Sequence, residues 1–157
     1  QLTAIQECRK VDRMLIADGG IRVPADAVKA LAAGADFVML GGMLAGTDET
    51  PGEKIEITTV EGEKAFIKRF RGMASREAQE DFMGQMSDWK TAEGVSIEVP
   101  CRGSAKDVLQ DLLGGIRSGL TYCGAATIKD LQRKAQFMEI TPAGRTEGTP
   151  HAIGRLT

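Results

Sequence analysis

Two glycine pairs, set about one strand and one helix apart, are the residues most suited to chemistry. Ile16-Ala17-Asp18-Gly19-Gly20-Ile21 and Val38-Met39-Leu40-Gly41-Gly42-Met43 are each a short apolar run that ends in a double glycine. Between them, residues 24–35 read as a compact helix opened by Pro24 and stopped at Gly34. Strand, helix, strand at this spacing is one βα repeat. Two glycine turns at equivalent strand ends let backbone N–H groups approach a single anion closely. The last two strands of a βα barrel hold a phosphate in this way. A phosphorylated small molecule is the expected ligand. Asp18 adds a carboxylate that accepts two hydrogen bonds well; the alternative is that it caps the following helix. The glycines have their own alternative, as plain turn residues.

The elements that must position these residues follow along the chain. Residues 2–11 read as a helix with Leu2, Ile5, Cys8 and Val11 on one face, and residues 14–17 as a buried strand. The helix after Val23-Pro24 leads to a second strand at 37–40. Gly46, Asp48, Pro51 and Gly52 mark a loop. Partial two-residue alternation at 54–60 and 64–70, around Glu61-Gly62-Glu63, predicts a β-hairpin. Residues 75–86 read as a helix with a thin apolar face of Ala78, Phe82 and Met86, as suits a mobile flap. A short extended piece at 95–99 closes at Pro100. Ser104 caps a long helix, 105–121, whose buried side is Val108, Leu109, Leu112, Leu113, Ile116 and Leu120. Gly114 and Gly115 in its middle call for close packing against a neighbour or for a helix N-terminus nearby. A short helix at 128–135 and a strand at 136–140 precede a polar, glycine-rich tail from Pro142, ordered only by contact with something else.

Composition narrows the function. The net charge of −2 gives no electrostatic footprint for nucleic acid. No run approaches the ~20 apolar residues of a membrane span, and the first residues do not show the basic-then-apolar pattern expected of a secretory signal. Cys8, Cys101 and Cys123 are widely spaced, which suits a reducing cytoplasm and neither a disulfide framework nor a zinc site. His151 is the single histidine, so a histidine triad or metal cluster is not expected. The 157 residues fall short of the ~250 of a whole barrel, and two barrel-type strands fall short of eight. The expected reading is a C-terminal portion of a larger barrel, with a small fold of another kind as the alternative.

An ordered set of segments then resembles the IMP dehydrogenase / GMP reductase family. It comprises ADGGI at 17–21, GGMLAG at 41–46 followed by Pro51-Gly52-Glu53, RGMAS at 71–75, AEG at 92–94, LGGIRS at 113–118 and YCGA at 122–125. The resemblance covers nearly the whole chain. It implies an α/β fold, the C-terminal portion of a (β/α)8 TIM barrel. Residues 1–157 would be strands seven and eight, an inserted β-hairpin finger and flap at about 47–103, and the C-terminal helices and tail.

The resemblance also implies roles. Asp18 would hold the ribose hydroxyls, and Gly20, Gly41 and Gly42 the phosphate. Arg71, Gly72, Met73 and Ala74 would meet the purine, with a plain hairpin exit and a core methionine as the alternative. Glu93 and Gly94 would read the purine edge, unless Glu93 is a solvated acid. The tail at Glu147, Gly148 and Thr149 would bind potassium through backbone carbonyls, with disorder as the alternative. The family's nucleophilic cysteine precedes the segment like residues 1–11, and none of the three cysteines here sits in its motif.

Some positions depart from the family pattern. Phe70 stands where a tyrosine usually donates to the phosphate. Ala74 replaces a glycine or serine. The Arg-Tyr pair that activates water on the dehydrogenase flap is missing between Ser75 and Pro100, which leaves Arg76 and the Asp88-Trp89-Lys90 triplet as the nearest candidates. Reductases carry a glutamate where Arg76 stands, yet residues 90–94 and the short flap look like the reductase branch. The tail looks like the dehydrogenase branch. The favoured expectation is an NAD-dependent IMP dehydrogenase, a cytoplasmic homotetramer acting on IMP without nucleic-acid or membrane partners. A GMP reductase using NADPH and a non-catalytic nucleotide-binding fragment are the alternatives.

Overall fold

A computed structural model describes residues 1–72, 75–84 and 96–148. Helix α1 (Leu2–Cys8) leads to strand β1 (Ile16–Asp18), helix α2 (Pro24–Ala32) and strand β2 (Phe37–Met39). The two strands pair in parallel, Ile16 opposite Phe37, Ala17 opposite Val38 and Asp18 opposite Met39. Parallel strands need a crossover, and α2 provides it. Helix α1 stops at Cys8, short of the expected Val11, and only Ile5 of its apolar face is buried.

Ala17 and Val38 face the core with Ile5, Ile21, Ala27, Ala30, Met43 and Leu112. The other sheet face, with Ile16, Phe37 and Met39, is exposed. The strand expected as buried at 14–17 therefore shifts to 16–18, and Met14 is 79% exposed. Alternating side chains of a strand need a layer on each face to be buried throughout, and the described helices cover one.

Helix α4 (Ala105–Tyr122) packs on α2. A Cβ at Gly115 would stand 2.2 Å from Cβ of Pro24, and one at Gly119 would stand 2.6 Å from Cγ1 of Val28. Two glycines thus let the helices touch backbone to side chain. Gly114 has no such neighbour within 4 Å. Val108, Leu112 and Ile116 reach the core, whereas Leu109 and Leu113, expected on the buried side, are exposed. The contact with α2 is narrow, so the wider apolar stripe extends beyond it. Helix α5 (Ile128–Lys134) buries Leu131 completely.

Strands β3 (Ile55–Thr58) and β4 (Lys64–Arg71) form an antiparallel hairpin, with Ile57 opposite Ala65. Strand β5 (Ser96–Pro100) pairs along the other edge of β4, giving the order β3-β4-β5. Helix α3 (Arg76–Met83) lies between β4 and β5 in the chain. No strand forms at 136–140. Its apolar residues Phe137, Met138 and Ile140 are exposed, and an extended segment becomes a strand only when a neighbour accepts its backbone hydrogen bonds. The tail instead holds a short helix, α6 (Pro142–Glu147). Thr141 caps it through Oγ1, which accepts from the N–H of Gly144, and Pro142 occupies its first position.

Candidate functional site

The parallel pairing of β1 and β2 brings their glycine turns to one end of the sheet. Asp18 pairs with Met39, so the chain leaves both strands at the same level, into Gly19-Gly20 on one side and Leu40-Gly41-Gly42 on the other. Gly19 and Gly20 have φ of +88° and +79°, the left-handed region that glycine alone enters without strain. Gly41 and Gly42 do not. A Cβ at Gly42 would meet open space, and one at Gly41 would meet only Cζ of Phe70, at 4.0 Å. Among the described residues, the N–H groups of Gly20, Gly41 and Gly42 donate to no protein acceptor. Three unpartnered donors at adjacent turns suit an anion.

Asp18 does not cap α2. That task falls to Asp26, whose Oδ2 accepts from the N–H groups of Arg22 at 3.1 Å and Val23 at 3.4 Å. The backbone oxygen of Asp18 accepts from Nε2 of Gln1 at 2.8 Å. Its exposed carboxylate stands at the strand end beside the glycine turns.

The segment after Gly42 is a chain of turns closed by its own hydrogen bonds. The N–H groups of Leu44 and Ala45 donate to Gly41 O, and that of Thr47 donates to Leu44 O. The hydroxyl of Thr50 donates to Thr47 O at 2.7 Å. Lys68, from β4, is 3% exposed. Its ammonium donates to three carbonyls of this segment, Thr47 at 2.8 Å, Asp48 at 3.3 Å and Thr50 at 2.7 Å. Beyond it, Glu49 fastens the start of α4, accepting from the hydroxyl of Ser104 at 2.8 Å and the N–H of Ala105 at 2.7 Å. The Ala105 and Ser104 hydrogen bonds hold the Glu49 carboxyl below its ordinary value. Sequence reasoning missed Lys68 and Glu49. A lysine alternating inward on a hairpin strand was the available signal for the first.

The end of β4 borders a groove of about 520 Å³ between the 45–52 segment and α3, with Phe70, Arg71, Asp81 and Phe82 among its lining. Arg71 is ion-paired with Asp81 of α3. Gly72 O accepts from Ser75 N at 3.0 Å, and Ser75 caps α3 through its hydroxyl. Arg76 is the first residue of that helix. Met73, Ala74, Glu93, Gly94 and Thr149 lie outside the described residues. Glu147 ends α6, and Gly148 is its C-cap, donating to Gly144 O at 3.1 Å. They are in a different part of the chain from the glycine turns.

The site's sequence and its surroundings match known proteins. A sequence model described as the IMP dehydrogenase / GMP reductase domain matches residues 1–151. The chain belongs to the IMP dehydrogenase / GMP reductase family. An inosine-5'-monophosphate dehydrogenase from Nitrosopumilus maritimus is 43% identical, over 98% of this chain and 34% of the relative. GMP reductase 2 of Homo sapiens is 45% identical, over 90% of this chain and 40% of the relative. The crystal structure of an inosine 5' monophosphate dehydrogenase from Legionella pneumophila superposes with a TM-score of 0.69 at 56% identity, over 92% of this chain and 43% of that one. That of a GMP reductase from Trypanosoma brucei in complex with guanosine 5'-monophosphate superposes with a TM-score of 0.83 at 40% identity, over 98% of this chain and 32% of that one. The chain thus spans roughly a third to two-fifths of the relatives it matches. Both branches of the family are near it, and the family's α/β architecture is the one seen here. Among the described residues no helix is long and apolar enough to cross a membrane.

Proposed function

We propose that this chain forms the purine-nucleotide site of an IMP dehydrogenase, in which IMP is oxidised to XMP with NAD as the hydride acceptor. One observation carries the proposal, the side-by-side glycine turns of β1 and β2, whose N–H groups at Gly20, Gly41 and Gly42 find no acceptor among the described residues. They bind the phosphate, and Asp18 binds the two ribose hydroxyls as paired acceptors. Arg71, Gly72, Met73 and Ala74 meet the base, and Glu93 and Gly94 read its edge. Phe70 lacks a hydroxyl for the phosphate, and its ring lies next to Gly41 instead. The turns therefore carry more of the phosphate binding than in a site with a tyrosine there. The cysteine that attacks the purine lies outside these residues. NAD supplies a hydride acceptor when bound.

Arg76, next to Ser75 at the start of α3, is the proposed water-activating residue. A potassium ion would be held by the backbone carbonyls of Glu147, Gly148 and Thr149. Backbone carbonyl oxygens suit potassium, because they can replace the ion's hydration shell. The proposed assembly is a cytoplasmic homotetramer built on (β/α)8 barrels, with β3, β4, β5 and α3 as finger and flap.

The dehydrogenase reading rests on the tail sequence and on Arg76 where a reductase carries glutamate. The second reading, GMP reduction with NADPH, rests on residues 90–94. Nicotinamide absorbance decides between them. The complete protein with IMP, NAD and potassium is expected to form NADH. Oxidation of NADPH with GMP, and no NADH from IMP, would establish the reductase instead.

A further inference from the structure

Lys68 is the one fully enclosed cation described, and the nucleotide site as proposed gives it no part. Its ammonium has three donors and no acceptor capacity, and three backbone carbonyls of Thr47, Asp48 and Thr50 take them. No proton is left for a substrate, so it is not a catalytic group. Its position explains what it holds. Lys68 and Phe70 are two apart on β4 and share one strand face. Phe70 reaches Gly41 at the beginning of the turn segment, and Lys68 grips carbonyls at the other end. The hydrogen bonds from Leu44 to Gly41, Thr47 to Leu44 and Thr50 to Thr47 join those two ends into one unit.

We infer that Lys68 is a positioning residue that sets Gly41 and Gly42 in register with β4 for phosphate binding. The inference rests on the nucleotide-site reading and adds a residue to it. Lys68 is the strap that joins the phosphate turn to the strand leading into Arg71 and Gly72. A bare ammonium suits the task, because the three carbonyls converge on a single point. A planar guanidinium, with its donors in a fixed fork, does not reproduce that geometry.

The test is the ratio of IMP affinity to inosine affinity, measured by calorimetry on the complete protein. Inosine lacks only the phosphate, so the ratio isolates the turns. In Lys68→Met the ratio is expected to fall about tenfold, as for loss of a well-aligned hydrogen bond to a charged group. Asp18→Ala serves as the comparison and should weaken both ligands with the ratio unchanged. An unchanged ratio in Lys68→Met overturns the inference and leaves the nucleotide reading standing. A wild-type protein with no preference for IMP over inosine overturns both. If Lys68→Met does not fold, Lys68→Arg decides, since it keeps the charge and alters the geometry. A lowered ratio in that variant supports the strap, and the wild-type ratio overturns it.

Discussion

Gly20 and Gly41 answer to different constraints, and that difference separates folding from binding. Gly20 has φ +79°, so an alanine there is strained by about 1–2 kcal/mol whatever the space around it. Gly41 has ordinary backbone geometry and room for a methyl, with Phe70 at 4.0 Å. Gly41→Ala is therefore expected to melt like the wild type, within about 0.5 kcal/mol, yet to bind IMP more weakly because the methyl occupies phosphate space. Gly20→Ala should lose both. Thermal melts and IMP titrations of the two variants check this, and a destabilised Gly41→Ala would refute the open-space reading. The glycine pairs were legible in the sequence as turns at equivalent strand ends, because a short apolar run closed by a double glycine marks a strand that stops in a turn. Of the two tasks open to Asp18 in the sequence, the helix cap is taken by Asp26 instead. Lys68 showed in the sequence only as an alternating position on a hairpin strand, since burial of a lysine depends on carbonyls contributed by a loop some 20 residues away in sequence.

Helices α2 and α4 meet through glycine, and the contact gives a paired prediction. A side chain at Gly115 collides with Pro24, whose ring cannot move aside. Gly115→Ala should destabilise by about 1–3 kcal/mol through overpacking. Its neighbour Gly114 faces no atom within 4 Å, so Gly114→Ala should stabilise by up to about 1 kcal/mol through helix propensity. Chemical denaturation of the two variants measures the difference, and equal effects would contradict the packing. The need for a close neighbour at Gly114-Gly115 was readable from the helix cost of glycine, but not which of the two makes the contact. The strand expected at 136–140 did not form because strand formation needs a pairing edge, which local sequence does not encode. The third strand, β5, was visible only as an extended piece for the same reason. Its partner β4 lies across α3 in the chain.

At the scale of the molecule, Asp36 joins three stretches of the chain, just after α1, just before β1 and in α5. It accepts from Leu15 N at 3.0 Å, Arg9 at 3.2 Å and Lys129 at 2.9 Å. The hydrogen bond from Lys129, then that from Leu15, hold its carboxyl below its ordinary value of 3.8. A carboxyl lowered in the folded state adds stability that is complete above its unfolded value and lost as pH falls through the folded one. The wild type should therefore lose stability as pH drops below about 4. Asp36→Asn should start less stable at neutral pH and decline less steeply in that window. Melts across the acid range test this, and parallel curves would remove Asp36 as a pH-linked joint.

The α/β repeat, the hairpin and the family were legible from order and spacing. The exposure of Ile16, Phe37 and Met39 was not, because burial depends on the layers present and not on the strand's own residues.

The central claim is that Gly20, Gly41 and Gly42 together bind a phosphate. Amide resonances of isotope-labelled glycine in the complete protein, followed during titration with IMP and then with inosine, test it most directly. The account predicts shifts at all three amides with IMP and far smaller ones with inosine. Equal shifts with both ligands, or none with IMP, would contradict it.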